Sequence, residues 1–157
     1  MQLTSAAYQQ DSTIPSTFTC DGENISPELS WRDAPANAKS FVIIMHDPDA
    51  PKAGGFYHWL VYDIPANVAA LEPKMPHNGR IAGVGIQGKN DSGKIGYMGP
   101  CPPAGTHRYF LRLYALDKQL DLEPGASQQQ VQQAMADHIL AQAELMGRYS
   151  RSAEKAA

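Results

Sequence analysis

The chain has 157 residues, of which 13 are Lys or Arg and 16 are Asp or Glu, so its formal net charge is −3. This balance argues against the basic surface that nucleic-acid binding requires. The longest apolar run, Phe41 to Met45, is far shorter than the ~20 residues of a membrane span. The apolar fraction of 43% can supply a core, and the composition excludes disorder, coiled coil and collagen. We predict one domain over residues 1–157.

The N-terminus and the cysteines bear on the cellular compartment. No basic segment followed by an apolar segment marks a signal peptide, so a cytoplasmic protein is the simple interpretation. A periplasmic protein that had lost its signal peptide would begin in the same way. Cys20 and Cys101 are too few for a disulfide framework and lack a metal-binding spacing. Two reduced thiols are favoured; a disulfide, closing a loop of about 80 residues, stays open and would contribute roughly 4–5 kcal/mol.

Several runs of residues predict β-strands. Residues 38–46 are almost continuously apolar, as in a buried strand, and residues 57–64 form a second run that Pro65 ends. These two strands are expected to form an antiparallel hairpin or to be near neighbours. Residues 107–116 form the third strong strand, whose odd positions share one face. A shorter strand is predicted at residues 81–87.

Only the C-terminal part of the chain predicts a helix. Ser127 and Gln130 form a capping-box pattern, and Gly147 stands where a glycine would end the helix. Between them, six residues follow helical spacing: Val131, Ala134, Met135, His138, Gln142 and Leu145. The prediction is a mostly-β fold with a C-terminal helix of about 19 residues.

Polar side chains stand at the ends of the three strong strands. Asp47 lies at the exit of the first strand, His58 begins the second, and His107 and Tyr109 open the third on one face. Residues 96–105, just before the third strand, contain prolines that stiffen the backbone and glycines that let it approach a ligand closely. We expect these groups to meet at one place.

The residue types at these strand ends favour an anion as the ligand. Two imidazoles and a phenol can donate hydrogen bonds, whereas the carboxylate can do so only if it is protonated or if the ligand brings a proton or a cation. A phosphate monoester with one proton, or a phospho-headgroup with an ammonium, fits that mixture. A few charge-assisted hydrogen bonds must offset the free-energy cost of association, so the expected affinity is millimolar to micromolar. It should rise as the pH falls from about 8 to 6 if the histidines are unperturbed.

Other chemistries have weaker support in the sequence. The chain has no G-x-S-x-G motif, no P-loop and no dinucleotide-binding motif. Asp47, His58 and His107 belong to a known type of metal-ligand set, but no metal-binding spacing supports a metal here. Cys101 near a histidine could be a nucleophile, yet a thiol between two prolines has no evident activator. The remaining histidines, His46, His77 and His138, are interpreted as structural or surface residues. Trp31 and Trp59 are interpreted as core residues.

These residues resemble a known family. Asp47-Pro-Asp-Ala-Pro51, His58-Trp59 and Gly96-Tyr-x-Gly-Pro-Cys-Pro-Pro-x-Gly-Thr-His-Arg-Tyr109 resemble the two signature regions of the phosphatidylethanolamine-binding proteins, in their bacterial Raf-kinase-inhibitor-like branch (YbhB/YbcL type). Residues 18–27 and 138–147 are also similar to that branch. The resemblance covers nearly the whole chain.

The resemblance implies a fold and a site. The fold would be a large antiparallel β-sheet packed with a smaller sheet, with short peripheral helices, and a small anion pocket would lie at one end of the sheet. By motif position, the side chains that would bind the ligand are Asp47, His58, His107 and Tyr109. The backbone of Cys101, Pro102 and Pro103 would form the wall of the pocket. Phe56 and Met98 would line its mouth.

The resemblance also implies a function. Members of the family bind phosphate-like anions and phospholipid headgroups, and some eukaryotic members inhibit kinases or serine proteases. We expect a non-catalytic, regulatory binding protein without cofactor or metal, either a monomer or a homodimer. Two alternatives stay open: an inhibitor of a protease or kinase that presents the turn Asp49–Phe56 to its partner, and a small hydrolase with His58 or His107 as general base. The chain differs from eukaryotic members in a shorter segment between Pro51 and His58 and in Cys101, where they more often have glycine.

Overall fold

The structure, a computed structural model, describes residues 1–151. Within them the chain forms one α-helix, α1 (Gln128–Met135), and a short 3-10 helix at Ser16–Phe18. The described part contains no helix that is both long and apolar enough to cross a membrane. The other elements are strands: β1 (Gln2–Thr4), β2 (Ser12–Thr13), β3 (Leu29–Arg32), β4 (Ser40–Asp47), β5 (Phe56–Pro65), β6 (Ala70–Leu71), β7 (Arg80–Ile81), β8 (Gly85–Gln87), β9 (His107–Leu116) and β10 (Ile139–Tyr149).

The strands form a large sheet and a small one, as predicted. The large sheet has seven strands in the order β2-β10-β9-β4-β5-β8-β7, and the small sheet has three in the order β1-β3-β6. Every pairing is antiparallel except that of β2 with β10, which is parallel. The three strong strands predicted from the sequence are β4, β5 and β9, and they lie side by side.

The central strands are buried on both faces, which explains their continuous apolar sequence. One face of β4 packs toward the small sheet, where Phe41 lies 5.6 Å from the Trp31 ring. The opposite face, which includes Val42, packs with Val131 and Met135 of α1. Both tryptophans are buried, so their assignment to the core is confirmed.

The predicted C-terminal helix is correct only in its first part. The capping box of Ser127 and Gln130 is present, but α1 ends at Met135 after eight residues. Asp137 then adopts a positive φ of 67°, which turns the chain, and β10 follows. The prediction of a helix to residue 147 is therefore wrong.

Buried and exposed residues alternate along much of β10, as in a strand that packs one face on the core, and not with the spacing of a helix. Ala143, Leu145 and Tyr149 point into the core, while the intervening Glu144 is exposed. Pairing with β9 runs along the whole strand. Gly147 does not end a helix; a Cβ atom there would lie 2.5 Å from Ile14 Cγ1 and 2.7 Å from Tyr8 Cε2, so the glycine lets the N-terminal segment pack against β10.

The single short strand predicted at residues 81–87 is instead a small hairpin. β7 and β8 pair antiparallel, with Arg80 opposite Ile86 and Ile81 opposite Gly85. Gly83 in the turn between them has a φ of 73°, a left-handed conformation that favours glycine. Gly83, which lies inside the predicted strand, is therefore in the turn between two strands.

Candidate functional site

A cavity of about 150 Å³ lies at one end of the large sheet. The antiparallel pairing places it there, because the end of β4 meets the start of β5 and the start of β9. The structure brings together every residue that the sequence proposed for the ligand site. The lining residues are Asp47, Ala50, Pro51, Phe56, His58, Met98, Cys101, Pro102, Pro103, His107 and Tyr109.

Asp47 and His107 form a buried pair in this cavity. His107 Nδ1 lies 2.7 Å from Asp47 Oδ2, and the two side chains are 9% and 3% exposed, respectively. The other carboxylate oxygen, Oδ1, accepts the backbone N–H of Asp49 at 2.8 Å. Because the carboxylate can only accept, His107 Nδ1 is the donor, and the imidazole is fixed with Nε2 as its remaining polar atom.

His58 is held by the loop that precedes β9. Its Nδ1 donates to the Met98 carbonyl oxygen at 2.6 Å, and the Met98 N–H donates to the His58 carbonyl at 3.0 Å. Burial lowers the pKa of His58, and the Met98 carbonyl and the charge of Asp47 oppose this lowering. Among residues 1–151, no hydrogen-bond partner faces His58 Nε2.

Tyr109 lies between the two pocket histidines. Its ring meets the His58 ring edge-on, with 5.3 Å between the ring centroids, and stacks with the His107 ring, with 6.3 Å between the centroids. Burial raises the pKa of the phenol, and the charge of Asp47 and a hydrogen bond to it raise this pKa further. The hydroxyl therefore stays protonated at neutral pH and donates its hydrogen to the Asp47 carboxylate.

The proline-rich wall of the cavity is cross-linked to the N-terminal part of the chain. Cys20 and Cys101 form a disulfide, with their Cα atoms 5.4 Å apart. The backbone N–H of Cys20 donates to the Pro100 carbonyl at 3.1 Å, and that of Gly99 donates to Asn24 Oδ1 at 2.9 Å. The favoured prediction of two reduced thiols is thus wrong. Both cysteines of the chain are in this bond, so Cys101 is not available as a nucleophile.

A second ion pair, which the sequence analysis missed, fixes the rim of the cavity. Asp49 Oδ2 accepts from the backbone N–H and from Nε of Arg108, both at 2.9 Å, and Oδ1 accepts from Nη2 at 2.8 Å. The hydrogen bonds from Arg108 lower the pKa of Asp49 to about 2. This pair ties the turn after β4 to the start of β9. Its only sequence signal is the position of Asp49 and Arg108 next to the signature residues.

The three other histidines have structural or surface contacts, as predicted. His46 lies on the opposite face of β4 and contacts the Arg112 side chain and the Gly54 carbonyl. His77 contacts a backbone carbonyl, and His138 pairs with Asp117 at the surface. Across residues 1–151, no group of three or more His, Cys, Asp or Glu side chains has the arrangement of a metal site.

Comparison with known sequences places the whole fold in one family. The family model described as phosphatidylethanolamine-binding protein matches residues 4–150. A protein of Methanothermobacter thermautotrophicus named UPF0098 protein is 52% identical over 151 residues, which cover 96% of this chain and 99% of that protein. A UPF0098 protein of Aquifex aeolicus is 47% identical over 154 residues, covering 96% and 89% of the two chains.

Two solved structures have the same fold over nearly their whole length. A phosphatidylethanolamine-binding protein homolog from Chlamydia trachomatis superposes with a TM-score of 0.87 at 43% identity, covering 96% of this chain and 97% of that one. YbcL of E. coli, described as a new member of the mammalian family, superposes with a TM-score of 0.86 at 32% identity, covering 95% and 97%. The sequence resemblance, the family model and the shared architecture agree: this chain belongs to the phosphatidylethanolamine-binding protein family.

Proposed function

We propose that the protein is a non-catalytic binding protein that recognises a phosphate-type anion in the cavity at the end of the large sheet, with a regulatory role. One observation carries the proposal. The Asp47–His107 pair, joined at 2.7 Å, faces the same small cavity as His58 and Tyr109. An imidazole backed by a buried carboxylate is a suitable donor for an oxyanion.

The size of the cavity limits the ligand to a small group. At about 150 Å³ it is smaller than the roughly 300–1,000 Å³ of pockets that hold drug-sized molecules. A phosphoryl group with a short substituent fits, whereas acyl chains do not. Candidate ligands are therefore a phospho-headgroup, a phosphorylated small molecule or a phosphorylated residue of another protein. A few hydrogen bonds to such a ligand support an affinity in the millimolar to micromolar range.

A titration followed by NMR tests this proposal. Phosphate, phosphoserine and phosphoethanolamine are added separately while the ring signals of His58 and His107 are recorded. We expect saturable shifts of both rings, with one ligand preferred. His107→Ala leaves only the His58 ring to follow, and its shift should disappear. His138→Ala, which changes a surface histidine that also pairs with an aspartate, should leave both shifts intact. Binding that His107→Ala leaves unchanged would contradict the proposal.

The absence of catalysis is part of the proposal and has its own test. The cysteines are joined in the disulfide, which removes the thiol nucleophile. A general base alone, His58 or His107, would need a water or hydroxyl nucleophile positioned by the protein. Phosphate and carboxylic esters should therefore show no turnover above that of Asp47→Ala. Turnover that disappears in this variant would favour the hydrolase alternative.

The disulfide favours the periplasmic location over the cytoplasmic one. Reductants keep most cytosolic thiols reduced, whereas disulfides persist in oxidising compartments; intracellular proteins of hyperthermophiles are the exception. Cells of the native host can be treated with a thiol-alkylating reagent and fractionated before the protein is analysed. We expect unmodified cysteines in a periplasmic or extracellular fraction. Alkylated cysteines in the cytoplasmic fraction would favour the alternative location.

A further inference from the structure

Asp47 has little capacity left to contact a ligand directly. Its Oδ1 accepts the Asp49 N–H, its Oδ2 accepts His107 Nδ1–H, and its side chain is 3% exposed. Tyr109 is a further hydrogen-bond partner. Asp47 therefore acts on a ligand chiefly through the groups that surround it, and the cavity's selectivity depends on the two imidazole Nε2 atoms and the phenol.

His58 offers the cavity a hydrogen-bond acceptor. Because the Met98 carbonyl can only accept, His58 Nδ1 carries a hydrogen, and a neutral ring then has a lone pair on Nε2. Burial, which lowers the pKa of His58, favours this neutral ring. Of the charges that act on it, Asp47 and Asp91 favour a second proton and His46 opposes one.

His107 has the opposite role. Its Nδ1–H already faces the Asp47 carboxylate, so a further proton goes to Nε2 and makes an imidazolium whose charge pairs with that carboxylate at 2.7 Å. Nε2–H is then a charged donor at the cavity surface. The Tyr109 hydroxyl donates its one hydrogen to Asp47, so only its oxygen lone pairs, which accept, are left for the cavity. With His107 in this form, the cavity combines one charged donor, His107 Nε2–H, with the acceptors His58 Nε2 and the Tyr109 hydroxyl oxygen.

We propose that the pocket selects an oxyanion that carries its own acidic proton, such as a phosphomonoester monoanion or dihydrogen phosphate. The P–OH group donates to His58 Nε2, while an unprotonated phosphoryl oxygen accepts from His107 Nε2–H. This inference rests on the proposed function and specifies the chemical class of its ligand. Phosphomonoesters and free phosphate share this chemistry.

Anions of similar shape that lack the proton should bind poorly. A sulfate ester or a phosphodiester places an unprotonated oxygen against the lone pair of His58 Nε2, and no hydrogen bond forms there. One such mismatch at a buried site lowers the affinity about ten- to a hundredfold. An intact phospholipid headgroup is a diester, so it belongs to the disfavoured group unless its ammonium replaces the P–OH donor.

Three ligands separate these possibilities in isothermal titration calorimetry. Methyl phosphate and methyl sulfate have nearly the same shape, but only the first has an acidic proton, with a pKa near 6. Glycerophosphoethanolamine is a diester that carries the ammonium of a lipid headgroup. At about pH 6 we expect methyl phosphate to bind at least about tenfold more tightly than either of the others. An equal affinity for methyl sulfate or for the diester would overturn the inference.

Two variants of His58 test the role of its Nε2 atom. In His58→Asn the side-chain amide can still donate to the Met98 carbonyl, but the Nε2 acceptor is lost. His58→Gln instead places an amide, which can donate as well as accept, near the Nε2 position. Both variants should reduce the preference for methyl phosphate over methyl sulfate to within about threefold. His138→Asn, the matched surface variant, should keep the wild-type preference.

The outcomes distinguish this inference from the proposed function. If the wild type binds methyl phosphate and methyl sulfate equally, the anion-binding function stands and the proton selectivity fails. If it binds none of the three ligands or inorganic phosphate, both fail. If a folded His58 variant keeps the wild-type preference, His58 is not the group that selects the proton, and the inference is overturned.

Discussion

His107 donates its Nδ1–H to Asp47 across 2.7 Å, although the two residues are 60 positions apart and both are buried. Replacing Asp47 by Asn keeps an acceptor for this hydrogen bond but removes the charge that pairs with an imidazolium. We expect Asp47→Asn to bind phosphate about tenfold more weakly and to lower the free energy of unfolding by about 1–3 kcal/mol. Calorimetric titration and chemical denaturation measure the two effects.

The chain contains a matched control for this experiment. Asp117 and His138 are also joined at 2.8 Å, but their side chains are 45% and 38% exposed. Surface pairs of this kind contribute little, so Asp117→Asn should change stability by no more than about 0.5 kcal/mol and should leave phosphate binding unchanged. Equal effects of the two variants would show that burial of the Asp47–His107 pair has no special importance.

The disulfide should make a large contribution to stability. Cys20 and Cys101 are separated by 81 positions. In the chain-entropy model, closing a loop of that length lowers the entropy of the unfolded chain and stabilises the folded protein by about 4–5 kcal/mol. We expect a variant with both cysteines replaced by serine to lose stability of this order in urea denaturation. It should also bind phosphate more weakly, because the wall at residues 101–103 is then held only by hydrogen bonds.

A reducing agent provides the control for the disulfide prediction. A dithiol reductant under conditions that open the bond should destabilise the wild type and should have no effect on the variant without cysteines. Equal stability of the wild type and the variant, both measured without reductant, would contradict the prediction.

The buried His58 should make stability depend on pH. The pKa of its ring is lowered from 6.5 in the folded protein, so between the unfolded and folded pKa values the unfolded chain binds more protons. Stability therefore falls as the pH drops through about 6.5 toward the folded pKa, and is regained as the pH rises. Denaturation curves of the wild type and of His58→Asn between about pH 7.5 and 5 measure this difference.

His58→Asn lacks the titrating ring, so its stability should change less over this range than that of the wild type. His138→Asn makes the same exchange at a surface histidine and is the matched control. Parallel pH profiles of the wild type and His58→Asn would show that burial of His58 does not set the acid sensitivity.

Gly147 provides a test of the structure of β10. In a helix, exchanging a glycine for alanine stabilises, whereas here the new Cβ atom would lie 2.5 Å from Ile14 Cγ1 and 2.7 Å from Tyr8 Cε2. We expect Gly147→Ala to lower the free energy of unfolding by about 1–3 kcal/mol. Gln142→Ala, at an exposed position of the same strand, should be nearly neutral. A stabilised Gly147→Ala would contradict the strand packing.

The comparison of α1 and β10 shows what the sequence could predict. Val131 and Met135 are four residues apart and both face the core from a helix, so helical spacing correctly identified α1. Leu145 extends that spacing by chance, because it also belongs to the alternating set of β10. The choice between the two periods depends on β9, whose edge β10 covers, and such a long-range partner has no local signal.

The site shows the same limit. The ends of β4, β5 and β9 could be located because each strand has a strong apolar pattern, and the polar side chains at those ends are the ones that meet in the cavity. The family resemblance added the wall at residues 101–103 and the two residues at the mouth. The sequence favoured reduced thiols over the Cys20–Cys101 bond and did not indicate the Asp49–Arg108 pair, because each joins segments that only the folded chain brings together. The spacing of these residues along the chain carries no information on such long-range contacts, so composition and spacing could not identify them.

The position of β4 and β9 in the middle of the large sheet has a kinetic consequence. Each has a hydrogen-bonded neighbour on both sides, and Asp47 and His107 are their terminal residues at the cavity. Amides in such central strands exchange with solvent only when most of the protein opens. Ligand contacts built on them are arranged before the ligand arrives, so little ordering entropy is lost on association. Differences in affinity among ligands should therefore arise mainly from differences in their dissociation rates.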